Sequence, residues 1–182
     1  MKAYLPVSGL LIAIALTSCS PSNLSQRKDI STNPLTQLKT TVINRAKVVS
    51  GQLIYVPIYS HIYHNNSPDR GLNLSATLSI RNTDLNNSIA IASVRYYDTK
   101  GKLVRQYINQ PVELQPLAST EVFIETDDVA GGAGANFIVE WTAEKKVYAP
   151  VVEAIMISTA SAQGISFTST GRVLKQYNSS HF

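Results

Sequence analysis

Leu72-Asn73-Leu74-Ser75-Ala76-Thr77-Leu78-Ser79-Ile80-Arg81-Asn82 carries an apolar side chain at every even position from 72 to 80 and a polar one at every odd position from 73 to 81. A strand sends alternate side chains to opposite faces, so this run predicts a strand with one buried face. Working outward, similar segments lie at residues 53–63, 89–97, 103–108, 121–126, 136–142, 151–157 and 165–174. Turn-forming residues separate them: Ser67-Pro68-Asp69-Arg70-Gly71, residues 82–87, Asp98-Thr99-Lys100-Gly101, Leu114-Gln115-Pro116 and Ala149-Pro150. Asp98 to Gly101 reads as a tight hairpin turn with Gly101 supplying a positive φ. About eight short strands with frequent turns and no long helical pattern predict an all-β fold, an antiparallel β-sandwich over residues 51–175. Leu74, Leu78, Ile80, Val94, Val139 and Trp141 are its expected core. Trp141 shares a face with Phe137 and Val139, which makes it a core filler and not a ligand platform.

The chain's single cysteine, Cys19, closes the run Leu16-Thr17-Ser18-Cys19 behind Lys2 and an apolar stretch at residues 5–16. A charged start, an apolar stretch and small residues at a cut define a secretory signal, expected over residues 1–18. A bilayer core needs about 20 apolar residues in a helix, so this stretch is too short to span one. The site resembles the lipobox of bacterial lipoproteins, which implies that Cys19 becomes a lipidated N-terminus. Two or three acyl chains make such anchoring nearly permanent, because each buried CH₂ contributes ~0.8 kcal/mol. Ser20 after the cysteine favours the outer membrane where a cell has two.

Residues 19–50 are expected to form a lipidated tether, its polar part rich in Ser, Asn, Gln, Thr and Pro. About 25 flexible residues would let the domain stand ~25–30 Å from the membrane. Leu35, Leu38, Val42 and Ala46 fall at near-helical spacing and suggest a short helix within it. Residues 176–182 are read as a frayed C-terminus.

Composition narrows the function classes. A hydrophobic content of 44% with 15% charged residues describes a folded, lightly charged globule. The net charge of +4 is mild, and Lys and Arg are scattered without a basic block. Nucleic-acid binding needs such a patch, so no nucleic acid is expected as a partner.

The stretch from Leu74 to Glu125 resembles the immunoglobulin-like domains of bacterial envelope proteins. It contains Leu78-Ser79-Ile80-Arg81-Asn82-Thr83-Asp84, then Tyr96-Tyr97-Asp98-x-x-Gly101, then Leu114-x-Pro116 leading into Ser119-Thr120-Glu121-Val122-Phe123. Three blocks together resemble a bacterial family of uncharacterised lipoproteins, a domain of unknown function. These are Tyr55-Val56-Pro57-Ile58-Tyr59-Ser60-His61-Ile62-Tyr63, Leu78 to Asp84, and Gly131-Gly132-Ala133-Gly134-Ala135-Asn136-Phe137-Ile138-Val139-Glu140-Trp141. The resemblance implies fold class and cellular address, and no catalytic residue.

Three constellations are candidates for chemistry. If residues 53–63 form one strand, Tyr55, Pro57, Tyr59, His61 and Tyr63 lie opposite an aliphatic core face. Pro57 cannot donate to a ladder, which marks an edge strand or a bulge. Aromatics on an exposed edge would anchor a sugar or a peptide, so Tyr55, Tyr59, His61 and Tyr63 are the expected partner-binding residues. The bland reading is that a loop or the last strand covers this stripe. His61 and His64 are three apart, which on a strand sends them to opposite faces, and a lipidated Cys19 leaves no thiolate, so no metal site is expected. The loop Gly131 to Asn136 lacks the Gly-Lys-Ser/Thr of a phosphate-binding loop and precedes a strand. It is expected to be a flexible connection, with Asn136 as a further partner contact.

The function expected from sequence is therefore that of a membrane-anchored envelope lipoprotein, non-catalytic and without cofactor, binding an envelope protein or glycan. The alternatives are a small hydrolase or glycan-acting enzyme using His61 with Asp69 or Asp98, and a structural spacer.

Overall fold

The computed structural model describes residues 33–64, 71–160 and 164–178. All of them fall in the second of two compact units, Ser31–Phe182. Cys19 and Asp69, and with them the expected signal and anchor, lie outside the described residues.

Among the described residues twelve strands follow one another: β1 (Ser50–Pro57), β2 (His61–Tyr63), β3 (Gly71–Asn73), β4 (Ser75–Arg81), β5 (Ile89–Tyr97), β6 (Leu103–Gln106), β7 (Val112–Leu114), β8 (Ser119–Ile124), β9 (Asn136–Ala143), β10 (Val151–Ser158), β11 (Ile165–Thr170) and β12 (Arg172–Asn178). One sheet runs β12-β1-β9-β5-β6 with β7 also on β5, the other β11-β10-β4-β8, and β2-β3 form a separate ribbon. Every ladder is antiparallel. The inner faces supply one continuous core that includes Leu78 and Ile80 from β4, Val94 and Tyr96 from β5, and Phe137, Val139 and Trp141 from β9. This is the all-β antiparallel sandwich that the alternation predicts. Two central pairs, β4–β8 in one sheet and β5–β9 in the other, match the pairing inside an immunoglobulin sandwich. The flanking strands exchange places: β1 lies beside β9 and β10 beside β4.

Several boundaries differ from the sequence reading. The founding alternation is two strands, because the chain changes sheets at Leu74, whose N–H donates to Ser60 O at 2.9 Å. Residues 53–63 likewise divide into β1 and β2. Nor is β1 an edge: it is paired on both sides, and Pro57 stands beyond the last β12 partner of β1, Tyr55↔Arg172, so its missing N–H breaks no ladder bond. Residues 165–174 divide at Gly171, where an added Cβ would meet Ile54 Cγ2 at 2.6 Å and Val152 O at 2.7 Å. Only glycine lets the chain cross there between sheets. Gln176 to Asn178, read as frayed, belong to β12. The Asp98 turn forms as predicted, with Gly101 at φ 78°.

Residues 33–50 are not a free tether. From Asn33 onward the chain is bound to the sandwich: Asn33 Nδ2 donates to Tyr107 O at 2.9 Å, and Leu35 is fully buried. Two single 3-10 turns, Pro34–Gln37 and Arg45–Lys47, replace the expected helix. Val42, assigned to its apolar stripe, is 90% exposed.

Candidate binding groove

The aromatic stripe expected on one strand is distributed over three places. Tyr55 faces outward from the six-stranded sheet between the buried Ile54 and Val56. Asn136 lies one row further on, opposite Pro57 and Tyr97, half-exposed. Tyr59 turns to the side and packs edge-on against Phe167, with ring centroids 5.7 Å apart. His61 and Tyr63 pair with each other on the β2–β3 ribbon, 5.3 Å between centroids and 3.4 Å from Nε2 to the hydroxyl. Of the expected set, only Tyr55 and Asn136 thus share a face of the six-stranded sheet, because the strand ends at Pro57 and the chain turns before His61.

The carboxylate of Asp98 is directed into its own hairpin, accepting the N–H groups of Lys100 and Lys102 at 2.8 Å each. Among the described residues, no group of three or more His, Cys, Asp and Glu side chains could hold a metal ion. No helix among them is long and apolar enough to cross a membrane.

The glycine loop is held, not loose. Gly131 O accepts the Thr99 N–H at 2.9 Å and its hydroxyl at 3.0 Å. Gly132 O accepts the Ser60 N–H at 3.1 Å and its hydroxyl at 2.9 Å. Ile58 N donates to Ala135 O at 2.9 Å. The first and third sequence blocks therefore meet here as mutual supports. The second block does comparable structural work: Asn82 Nδ2 donates to three carbonyls, those of Asn87, Leu114 and Gln115.

A broad concavity lies elsewhere, on the outer face of the six-stranded sheet. Residues 41–48 form a strap pinned at both ends, by Thr41 N to Pro111 O and Val49 N to Ala143 O, each 2.9 Å. Between this strap and β12 runs a groove of about 1110 Å³. Arg45 and Ile43 of the strap form one wall, Lys175 and Tyr177 the other, and Glu140 and Thr142 lie on the floor. Ala92 borders it at an irregularity in the β5–β9 ladder between Ile91 and Ser93. A smaller hollow of about 320 Å³ shares strap residues Thr41, Val42 and Ile43.

Tyr177 organises the floor. Its ring rests against Gly51 of β1, where a Cβ would approach Cδ2 to 3.0 Å. Passing over that glycine, its hydroxyl donates to Glu140 Oε1 on β9 at 3.2 Å. Lys175 Nζ lies 5.1 Å from its ring centroid. Burial pushes the Tyr177 phenol up from its ordinary value and the Glu140 charge adds to this, while Arg45 and Arg95 partly offset it. Arg95 stands on the same outer face, opposite Ile138, and Ser93 opposite Glu140. No single sequence motif marks this groove, since its walls come from distant segments.

These features define a β-sandwich with a recessed outer sheet face. The family described as "Protein of unknown function (DUF3124)" matches residues 51–174, and the chain belongs to it. No curated protein matches the chain. A solved structure, the crystal structure of Thermotoga maritima 1070, is similar at 14% identity and a TM-score of 0.40, covering 66% of this chain and 92% of that one.

Proposed function

We propose that this protein is a lipoprotein of the bacterial envelope, anchored through Cys19, that binds another envelope component without performing chemistry on it. Its place is extracytoplasmic, on the periplasmic face of the outer membrane in a cell with two membranes. The observation that supports binding is the groove between the strap and β12. It exceeds the 300–1,000 Å³ typical of small-molecule sites and opens along a sheet face, which suits an extended partner. The lipobox-like run at Cys19 supports the anchor.

The test uses wild type and Cys19→Ala in parallel. Wild type should enter the detergent phase on phase separation, and Cys19→Ala should not. Purified soluble Cys19→Ala should then co-sediment saturably with isolated, protein-free envelope or with envelope proteins. Aqueous partitioning of processed wild type removes the anchor from this reading, and absence of saturable co-sedimentation removes the binding role.

A further inference from the structure

We infer that the groove between the strap and β12 is a site for an acidic glycan, a chain of sugars carrying carboxylate or phosphate. This rests on the binding role proposed above and names its ligand class.

The charge balance comes first. Arg45 and Lys175 line the groove from opposite walls, while Glu140 is its single carboxylate among the described residues. Arg95, on the same face, adds a third cation within electrostatic range of Tyr177. Glu140 is already engaged by the Tyr177 hydroxyl. The surplus is positive, and a recessed site between protein walls strengthens its field relative to open solvent.

Unmet hydrogen bonds point the same way. Ser93 Oγ and Arg95 Nε are buried atoms without a hydrogen-bond partner among the described residues. Buried polar groups are ordinarily paired, and two exceptions together on one sheet face beside a groove call for an explanation. Neither residue lines the groove itself, but Ser93 pairs with the floor residue Glu140, and both atoms can donate to acceptor oxygens brought to that floor.

The remaining lining distinguishes a sugar from a lipid chain. Thr41, Thr142 and Gln110 offer hydrogen-bonding side chains along the groove, and the floor is an open sheet face, not a deep apolar shaft. Val42, Ile43, Val48, Ala92 and Pro111 supply apolar surface along it, suited to the C–H faces of sugar rings. The volume of about 1110 Å³ accommodates several rings in a row.

The test uses full-length Cys19→Ala protein and oligogalacturonate as the acidic glycan. The controls are its methyl-esterified, uncharged counterpart, inorganic phosphate, and phosphatidylglycerol vesicles. Calorimetry should show oligogalacturonate binding that weakens as salt is raised, with the esterified chain bound at least tenfold more weakly. Arg45→Gln with Lys175→Gln should reduce the affinity tenfold or more at an unchanged melting temperature. Glu140→Gln should instead raise it severalfold, an increase that mere loss of structure would not produce. Equal binding of charged and esterified chains overturns the inference, as does full affinity in the double variant or no binding at all. Binding to phosphate or to the vesicles in place of the oligosaccharide overturns it too. If Cys19→Ala still co-sediments with envelopes while oligogalacturonate fails, the glycan inference falls and the binding role stands; loss of co-sedimentation removes both.

Discussion

Asp84 donates its backbone N–H to Asn82 Oδ1 at 3.0 Å, and the two side chains then divide the β4–β5 loop between them. Asn82 supplies donors and Asp84 acceptors: Asp84 Oδ1 takes the N–H groups of Asn86 and Asn87 at 3.0 and 2.8 Å. Asp84 Oδ2 takes the Tyr148 N–H at 3.2 Å, tying in the chain just before β10.

Asn82→Ala is expected to destabilise the domain by about 2–6 kcal/mol. The variant leaves three carbonyls and one N–H without their partner, and each net bond contributes ~0.5–1.5 kcal/mol. Asn82→Asp should be no better, because an acceptor would face three carbonyls. Urea denaturation followed by tryptophan fluorescence measures both.

Asp84 makes part of the stability pH-dependent. The Asn86 N–H is the largest influence lowering its pKa from the ordinary 3.8; burial opposes it, and the Asn87 and Tyr148 bonds reinforce it. A carboxyl with a depressed folded-state value contributes stability that is fully present above its unfolded value and lost as pH falls through the folded one. Asp84→Asn should therefore melt below wild type at pH 7, and the gap should narrow below pH ~3.8. A gap that stays constant down to pH 2.5 would show that charge plays no part.

Trp141 and Gln52 couple the core to the sheet edge. The indole N–H donates to Gln52 Oε1 at 3.1 Å, and Gln52 Nε2 to Gln176 Oε1 at 2.8 Å. Trp141→Ala should cost ~3–5 kcal/mol and unfold a marginal domain. Gln52→Leu should cost about 1–3 kcal/mol by stranding the buried indole N–H. Thermal melts check both, and a neutral Gln52→Leu would contradict the assigned bond.

The aromatic residues of the first block should separate by stability. Tyr59→Ala loses an edge-on contact with Phe167, worth ~0.5–1.5 kcal/mol beyond the area it buries. Tyr63→Ala, with the side chain 57% exposed, should stay within ~0.5 kcal/mol. Chemical denaturation midpoints decide this, and equal losses would mean that the ribbon packs as tightly as the sandwich.

What the sequence made legible follows from where the information lies. Alternation at Leu74, Ala76, Leu78 and Ile80 is local and survives into the fold, as does the Asp98–Gly101 turn. Pro57 misled because its cost depends on whether a neighbour needs its N–H, which only the register of β12 determines. Leu35 was misplaced because its spacing with Leu38, Val42 and Ala46 suggested a helix, whereas Leu35 is buried in the sandwich core and Val42 is exposed. Tyr59 and His61 parted company because the run of alternating residues gives no sign of the turn through Ser60, which the glycine loop holds from 72 positions away. The groove was not legible at all, since Arg45, Glu140 and Tyr177 converge only through strand order.

The pairing of β12 with β1 sets a timetable for the chain. Gln52 and Gln176 are hydrogen-bonded across 124 positions of sequence, so the neighbour of the first long strand is synthesised long after it. Until it arrives, Ile54 and Val56 line an open edge, and ordering so long an intervening loop makes such closures slow. The six-stranded sheet is therefore incomplete until the strand from Arg172 to Asn178 has been made. A chain cut short before Arg172 would emerge with an unguarded strand, prone to join a neighbouring molecule's sheet or to be degraded.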